Sequence, residues 1–157
     1  MANVCGNHFT ESFLYDYAKK NNMCDADGGT SPQQILDIFN SVTGVPASVK
    51  NTKSVEELVP YIEKGQGVII AVEPYKYNSP LYGEYDPNNP AGHALFLASV
   101  ERDIKTNKIT KYGVIDSNGR TPKGSVFWVD AGVLDDAYRT YGGSSSGVSI
   151  VTNNIIH

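Results

Sequence analysis

Three side chains of this chain have the types needed for nucleophilic catalysis: Cys5, His93 and Asp116. Cys5 stands directly before a segment with helical periodicity, and a cysteine at a helix N-terminus has a lowered pKa because the helix dipole and free N–H groups stabilise the thiolate. An imidazole can take the thiol proton, and a carboxylate can hold that imidazole in one tautomer. The set predicts a cysteine nucleophile with a histidine base.

A predicted hairpin brings His93 and Asp116 together. His93 opens an apolar strand at residues 93–101, and Asp116 closes the next one at residues 109–116. If the turn centres on Ile104 and Lys105, His93 faces Asp116, whereas a turn centred on Thr106 moves the partner toward Asn118. Facing Cβ atoms lie about 4.5–5.5 Å apart. The imidazole is therefore expected to hydrogen-bond an Asp or Asn side chain at this sheet edge.

Each of these residues also has a purely structural interpretation. Cys5 could be an inert buried thiol or form a disulfide with Cys24, and a histidine that opens a strand is often only solvated. A zinc site made of Cys5, His8, Cys24 and His93 is a further alternative, although the chain has no Cys-x-x-Cys pair. The conjunction of the three residues favours catalysis, with no metal and no cofactor.

Apolar periodicity places helices first and strands second. Ser31, Pro32 and Gln34 form a capping-box pattern at the start of the second helix, and Gly44 is placed to end it. The pattern predicts helices at residues 6–20, 31–44, 54–65 (shortened or kinked by Pro60) and 131–139, and strands at residues 67–72, 93–101, 109–116, 125–130 and 148–152. This order indicates an α+β fold in which N-terminal helices pack on a mostly antiparallel sheet.

Residues 75–92 form a long connection that is rich in tyrosine and proline. A structureless loop of this length inside a compact domain is uncommon and is often functional. We therefore expect it to border a substrate cleft, with Tyr82, Tyr85, Asn118 and Trp128 as lining residues.

The bulk composition bounds the possible functions. With 157 residues the chain is expected to be a single domain, residues 1–157, and the very short segment before Cys5 suggests a domain cut from the C-terminus of a larger secreted protein. The net charge of −4 argues against nucleic-acid binding, which needs clustered Lys and Arg. The longest apolar run is far too short for a membrane span.

Several short motifs follow one another along the chain: Cys-Gly before a helix, Gly29-Thr30-Ser31-Pro32, Thr43-Gly44, residues 67–72, Gly92-His93-Ala94, Val114-Ile115-Asp116-Ser117 and Val151-Thr152-Asn153. Their order resembles the papain-like cysteine peptidases, most closely the branch that includes the double-glycine leader peptidases of bacteriocin exporters. Residues 92–157 are also similar to papain-fold domains at the C-termini of large bacterial toxins used in contact-dependent growth inhibition.

The resemblance implies an activity and a setting. Cys5 would be the nucleophile, His93 the general base and Asp116 the residue that orients the ring. The substrate would be a protein or peptide, hydrolysed in the cytoplasm of a target cell after delivery as part of a larger toxin, and a cognate immunity protein would be the partner. Deamidation or transglutamination through the same triad, and an inactive papain-like binding module, are the alternatives.

The sequence departs from the family pattern just before the nucleophile. Papain-like enzymes usually carry an oxyanion-hole side chain, often Gln, several residues before the cysteine, and here only four residues precede Cys5. Asn3 is the candidate for that role, with the backbone N–H of Cys5 as the alternative.

Overall fold

The computed structural model describes residues 9–25, 30–88, 91–118, 125–141 and 147–156. The elements in chain order are α1 (Glu11–Lys20), α2 (Pro32–Thr43), β1 (Ala47–Thr52), α3 (Val59–Glu63), β2 (Gln66–Val72), α4 (Pro74–Tyr77), α5 (Ser79–Tyr82), β3 (His93–Arg102), β4 (Ile109–Ile115), β5 (Phe127–Asp130), α6 (Ala131–Arg139) and β6 (Gly147–Ile155).

Six strands form one antiparallel sheet in the order β1-β6-β2-β3-β4-β5. The apolar run of β2 lies between β6 and β3, and its Val68, Ile70 and Val72 are completely buried. Strands β2 to β5 follow one another as a meander, whereas β6 returns to the other side of β2. The predicted α+β class with a mostly antiparallel sheet is confirmed.

One face of the sheet is covered by α3 and α6, which pack against β2, β3 and β4. Leu134 and Tyr138 of α6 are fully buried there, and a Cβ on Gly147 would overlap the Tyr138 ring, so only glycine fits at the start of β6. The core on this face contains Val55, Leu58, Val68, Ile70, Leu95, Leu97, Val114 and Val151.

The other face is covered in part by α2, which packs on β1 and β6. Its predicted capping box is confirmed: the backbone N–H of Gln34 donates to the Ser31 hydroxyl at 3.3 Å, and the N–H of Ser31 donates to Gln34 Oε1 at 2.7 Å. Gly44 ends the helix in the left-handed region, with φ of 68°. No helix in the described ranges is long and apolar enough to cross a membrane.

Helix α1 begins later than its apolar pattern predicts. Its N-cap is Thr10, whose hydroxyl accepts the N–H of Phe13 at 3.2 Å, so the first helical residue is Glu11 rather than Gly6. Helix α1 packs against α2. Cys5 lies outside the described residues, so its activation at a helix N-terminus stays a prediction.

The register of β3 and β4 follows the second of the two predicted hairpins, with the turn near Thr106, rather than the first. A hairpin with His93 opposite Asp116 would place Phe96 opposite Gly113, but Phe96 faces Ile115. The difference arises because the turn lies near Thr106 and two irregularities interrupt the ladder. Strand β4 ends at Ile115, so Asp116 follows the strand rather than belonging to it.

Three local features differ from the predicted elements, although a shortening of the third helix at Pro60 was expected. Residues 74–82 are not structureless but form the single-turn helices α4 and α5, each with proline in its first two positions. The helix expected from Ser54 is a 3₁₀ turn at Glu56–Leu58 followed by the five-residue α3. Strand β1 escaped prediction because its side chains are mostly half-buried, with no clear alternation.

Glu73 joins β2 to α4 and is completely buried. Its Oε2 accepts the backbone N–H of Ala91 at 3.0 Å, which ties down the segment that enters β3 at His93. Its Oε1 has no partner among the described residues. Burial raises the pKa of this carboxyl above its usual value, against the opposing effect of its backbone hydrogen bonds.

We predict that Glu73→Gln flattens the dependence of stability on pH. A group whose pKa is raised by folding gives its full stabilisation below its ordinary value, near 4.5, and loses it as the pH rises through the folded-state pKa. Between about pH 4 and about pH 8, the Tm of the unsubstituted chain should fall by a few degrees relative to the Tm of the variant. A shift of this size corresponds to about 1 kcal/mol of unfolding free energy in a domain of this length.

The matched control is Glu84→Gln, which neutralises an exposed glutamate in the same part of the chain. Its curve should parallel that of the unsubstituted protein. Parallel curves for Glu73→Gln as well would contradict the raised pKa.

Candidate active site

The core of the site is the hydrogen bond between His93 Nε2 and Asp116 Oδ1, 2.8 Å long. His93 is the first residue of β3 and Asp116 directly follows β4, so the ends of two paired strands bring them together. The side chains are 13% and 5% exposed, respectively. The predicted pair therefore forms in the register of the turn near Thr106, with Asp116 just beyond the end of β4.

This contact assigns the tautomer of the imidazole. A carboxylate only accepts hydrogen bonds, so a nitrogen 2.8 Å from Asp116 Oδ1 must carry a proton. In the neutral ring that proton is on Nε2, and Nδ1 is left with a lone pair. Nδ1 has no hydrogen-bond partner within the described part of the chain. It is the nitrogen available to act as a base.

Asp116 receives hydrogen bonds from four groups. Oδ1 accepts from His93 Nε2 and from the backbone N–H of Asn118, each at 2.8 Å, while Oδ2 accepts from the hydroxyls of Tyr77 and, at 2.9 Å, Tyr82. Burial works to raise the pKa of this carboxyl, but the hydrogen bonds from Tyr77, His93 and Asn118 outweigh burial and hold the pKa below its usual range. Asp116 is therefore an ionised carboxylate at neutral pH.

Tyr82 was expected to line a cleft, but its hydroxyl lies in this cluster. The oxygen is 2.9 Å from Asp116 Oδ2 and 3.1 Å from His93 Nε2, and the Tyr82 and His93 rings pack at a centroid distance of 5.3 Å. Tyr77 belongs to the same cluster and was missed by sequence analysis. Proline at the first turn of both α4 and α5 was the available signal, because it fixes where these two tyrosines end their short helices.

Both tyrosines are held in the protonated form that can donate. Burial, and then the hydrogen bond to Asp116, raises the pKa of Tyr77 far above its usual range. Burial is also the main cause of the raised pKa of Tyr82. The cluster at neutral pH therefore contains one negative charge, on Asp116, surrounded by O–H and N–H donors.

A cavity of about 310 Å³ lies beside His93, between the start of α2 and the sheet. Its wall combines polar and apolar groups: Thr30, Tyr141 and Ser149 line it together with Pro32 and Ile35 of α2 and with Ile69, Ala71, Ala94 and Ile150 of the sheet. Gly92 and Ser117 line the cavity near the His93–Asp116 pair. The cavity therefore offers both polar and apolar contacts next to the imidazole.

The other predicted cleft residues lie in different surroundings. Asn118 is in the cluster through its backbone N–H. Tyr85 is exposed at the surface, with Lys76 Nζ 4.8 Å from its ring centre. Trp128 is 46% exposed on the edge strand β5. Neither ring lines the cavity beside His93.

Cys5, Asn3 and His8 lie outside the described residues, so the nucleophile, the oxyanion donor and part of the zinc alternative remain predictions. Cys24 is a free thiol. Within the described ranges, no group of three or more His, Cys, Asp and Glu side chains is arranged to hold a metal ion.

The solved structures that resemble this fold include two at low sequence identity. The first is a C39-like peptidase from Bacillus anthracis, with a TM-score of 0.56 and 14% identity over 82% of this chain and 62% of that one. The second is UfSP from C. elegans, with a TM-score of 0.48 and 15% identity over 95% of this chain and 26% of that one. The first similarity bears on the fold, whereas the second, with a TM-score below 0.5, does not.

No family model and no curated protein matches the sequence. This chain spans less than two thirds of the length of either structural neighbour. At 14% identity the similarity bears on the fold alone. Together with the antiparallel sheet and the helices before it, the similarity shows that the chain has a papain-like peptidase fold.

Proposed function

We propose that this protein is a cysteine hydrolase of amide bonds, with Cys5 as nucleophile, His93 as general base and Asp116 as the residue that orients the imidazole. The observation that carries the proposal is the His93–Asp116 pair. Its Nε2–H is bound to the carboxylate, and Nδ1 has no partner in the described part of the chain. The papain-like fold agrees with this assignment, since such folds support thiol-based acyl transfer.

The proposed reaction begins with transfer of the Cys5 thiol proton to His93 Nδ1, which leaves a thiolate and an imidazolium. The thiolate attacks the carbonyl carbon of the substrate amide, and the imidazolium then gives its proton to the leaving amine as the C–N bond breaks. Water, deprotonated by Nδ1, hydrolyses the resulting thioester and restores the thiol. Asp116 stabilises the imidazolium in both half-reactions through the Nε2–H bond.

The acyl-enzyme accounts for the alternative reactions as well. Attack by water on a thioester formed from a glutamine side chain is deamidation, and attack by a lysine amine is transglutamination. In each case Asn3, or the backbone N–H of Cys5, would donate to the oxyanion. Removal of one such donor costs about 10²–10³ in rate in other enzymes.

We propose further that the domain, residues 1–157, is the effector part of a larger bacterial toxin. It would be secreted or delivered into a neighbouring cell, hydrolyse a protein or peptide in the cytoplasm of that cell, and be neutralised in the producer by a cognate immunity protein. The support is the resemblance of residues 92–157 to toxin domains of papain-like fold.

We predict that Cys5→Ala abolishes both hydrolysis and toxicity when the chain is expressed in a bacterial cytoplasm, because the acyl-enzyme cannot form without the thiolate. Growth is compared with that of the unsubstituted chain, and protein termini and Gln-to-Glu changes are mapped across the proteome by mass spectrometry. Cleavage, deamidation and crosslinking give different masses and identify the reaction.

The matched control is Cys24→Ala, which removes the free thiol at the other cysteine position. It should retain full activity. Undiminished activity in Cys5→Ala would exclude Cys5 as the nucleophile.

We predict that Asp116→Ala lowers kcat/KM by about 10²-fold or more, within the range expected when general-base catalysis is lost. Asp116→Asn should keep part of the activity, because an amide oxygen can still accept the Nε2–H of His93. Rates are measured on the target found by the proteome mapping, with Asp16→Ala, an exposed site on α1, as control. Equal activity of the Ala and Asn variants would argue against an orienting role.

A further inference from the structure

We propose that Tyr82 is a positioning residue for the catalytic imidazole, a role that rests on the proposed hydrolase function. Its hydroxyl contacts both members of the pair: it lies 2.9 Å from Asp116 Oδ2 and 3.1 Å from His93 Nε2. Through these two contacts it fixes the plane of the ring and keeps the neutral-state proton on Nε2. The nitrogen left free, Nδ1, is then always the base.

A count of protons supports the direction of each bond. The Nε2–H must point toward Asp116, which has no proton to give, so Nε2 cannot accept from Tyr82. The Tyr82 hydroxyl therefore donates its single proton to the carboxylate and offers a lone pair to the shared Nε2–H. In this arrangement every donor has an acceptor only if His93 is the Nε2–H tautomer.

The reverse tautomer would be unfavourable at this site. With the proton on Nδ1, the Nε2 lone pair would face the Asp116 carboxylate at 2.8 Å without a hydrogen between them. The Tyr82 proton could then bind either Nε2 or Asp116, but not both, and one contact of the cluster would be lost. Tyr82 thus adds to the preference for Nε2–H that Asp116 alone provides.

Tyr82 is held by its own helix and by packing. Its backbone N–H donates to the Asn78 carbonyl at 3.1 Å in α5, and its ring packs on Tyr77 and His93 at centroid distances of 5.8 Å and 5.3 Å. The hydroxyl is therefore presented by a fixed ring rather than by a mobile side chain, as positioning requires.

Tyr77 provides an internal comparison. Its hydroxyl donates to the same carboxylate oxygen, Asp116 Oδ2, but makes no contact with His93 within the described residues. Tyr77 is also the more completely buried of the two, at 6% exposed. A purely structural role predicts the larger effect for loss of the Tyr77 hydroxyl, whereas a positioning role predicts the larger effect on the imidazole for loss of the Tyr82 hydroxyl.

The test compares Tyr82→Phe with Tyr77→Phe, each of which removes one hydroxyl from Asp116 Oδ2. Tyr61→Phe, a partly buried tyrosine of α3, controls for loss of a hydroxyl elsewhere. The first readout is the tautomer of His93 from the ¹⁵N chemical shifts of its ring, measured on histidine-labelled protein and assigned with His93→Gln. The second is the rate at which iodoacetamide alkylates Cys5 near neutral pH, with Cys24 of the same molecule as reference. The third is Tm.

We expect the unsubstituted chain to show the Nε2–H form and rapid alkylation of Cys5. In Tyr82→Phe the Nδ1–H form should gain population and alkylation of Cys5 should slow about tenfold, the scale of one hydrogen bond to a charged group, with Cys24 unchanged. Tyr77→Phe should lower Tm at least as much but change the tautomer and the alkylation rate less. Tyr61→Phe should alter neither.

An unchanged His93 tautomer in Tyr82→Phe, or larger effects of Tyr77→Phe on both imidazole readouts, would overturn the role of Tyr82. Loss of folding in Tyr82→Phe alone would also overturn it, since the residue would then be structural. If Cys5 of the unsubstituted chain reacts no faster than Cys24, the proposed hydrolase function fails. The tautomer of His93 still tests Tyr82 in that case, so the two failures are distinguishable.

Discussion

The carboxylate of Asp116 is an almost fully buried charge, and such a charge is stable only where hydrogen-bond donors replace the lost water. Four segments supply those donors: the strand start at His93, the turn at Asn118, and the short helices that end at Tyr77 and Tyr82. The chain between β2 and β3 must therefore fold back over the end of the sheet. Two single-turn helices with early prolines achieve this within nine residues.

Features that depend on neighbours in the sequence were predictable. The capping box at Ser31 and the apolar run of β2 are local patterns, and both appear in the structure as expected. The contact between His93 and Asp116 was also predictable, because a hairpin limits which strand ends can meet. The contact tolerates a change of register: the ladder is shifted by two residues relative to direct pairing of His93 with Asp116, yet Asp116 still reaches the imidazole from beyond the strand end.

Features that depend on distant contacts were not predictable. The hydroxyls of Tyr77 and Tyr82 bind Asp116 although both residues lie more than 30 positions before it in the sequence. No local sequence pattern indicates such a contact. The start of α1 was misjudged because Phe9 continues the apolar spacing of Phe13 and Tyr17, whereas the Thr10 hydroxyl caps the helix at Glu11. In both cases, the tyrosine contacts with Asp116 and the start of α1, the structure is determined by side-chain hydrogen bonds that the apolar pattern does not show.

Two buried carboxyls act on the chain around His93, and their environments shift their pKa values in opposite directions. Asp116 has four donors and a lowered pKa, while Glu73, whose Oε2 accepts the Ala91 N–H two positions before His93, has a raised pKa and no partner for Oε1 among the described residues. Glu73 anchors the entry to β3, and burial disfavours its ionised form. The imidazolium formed during the proposed reaction would be stabilised by the Asp116 carboxylate at Nε2, which leaves Nδ1 as the nitrogen that takes the proton.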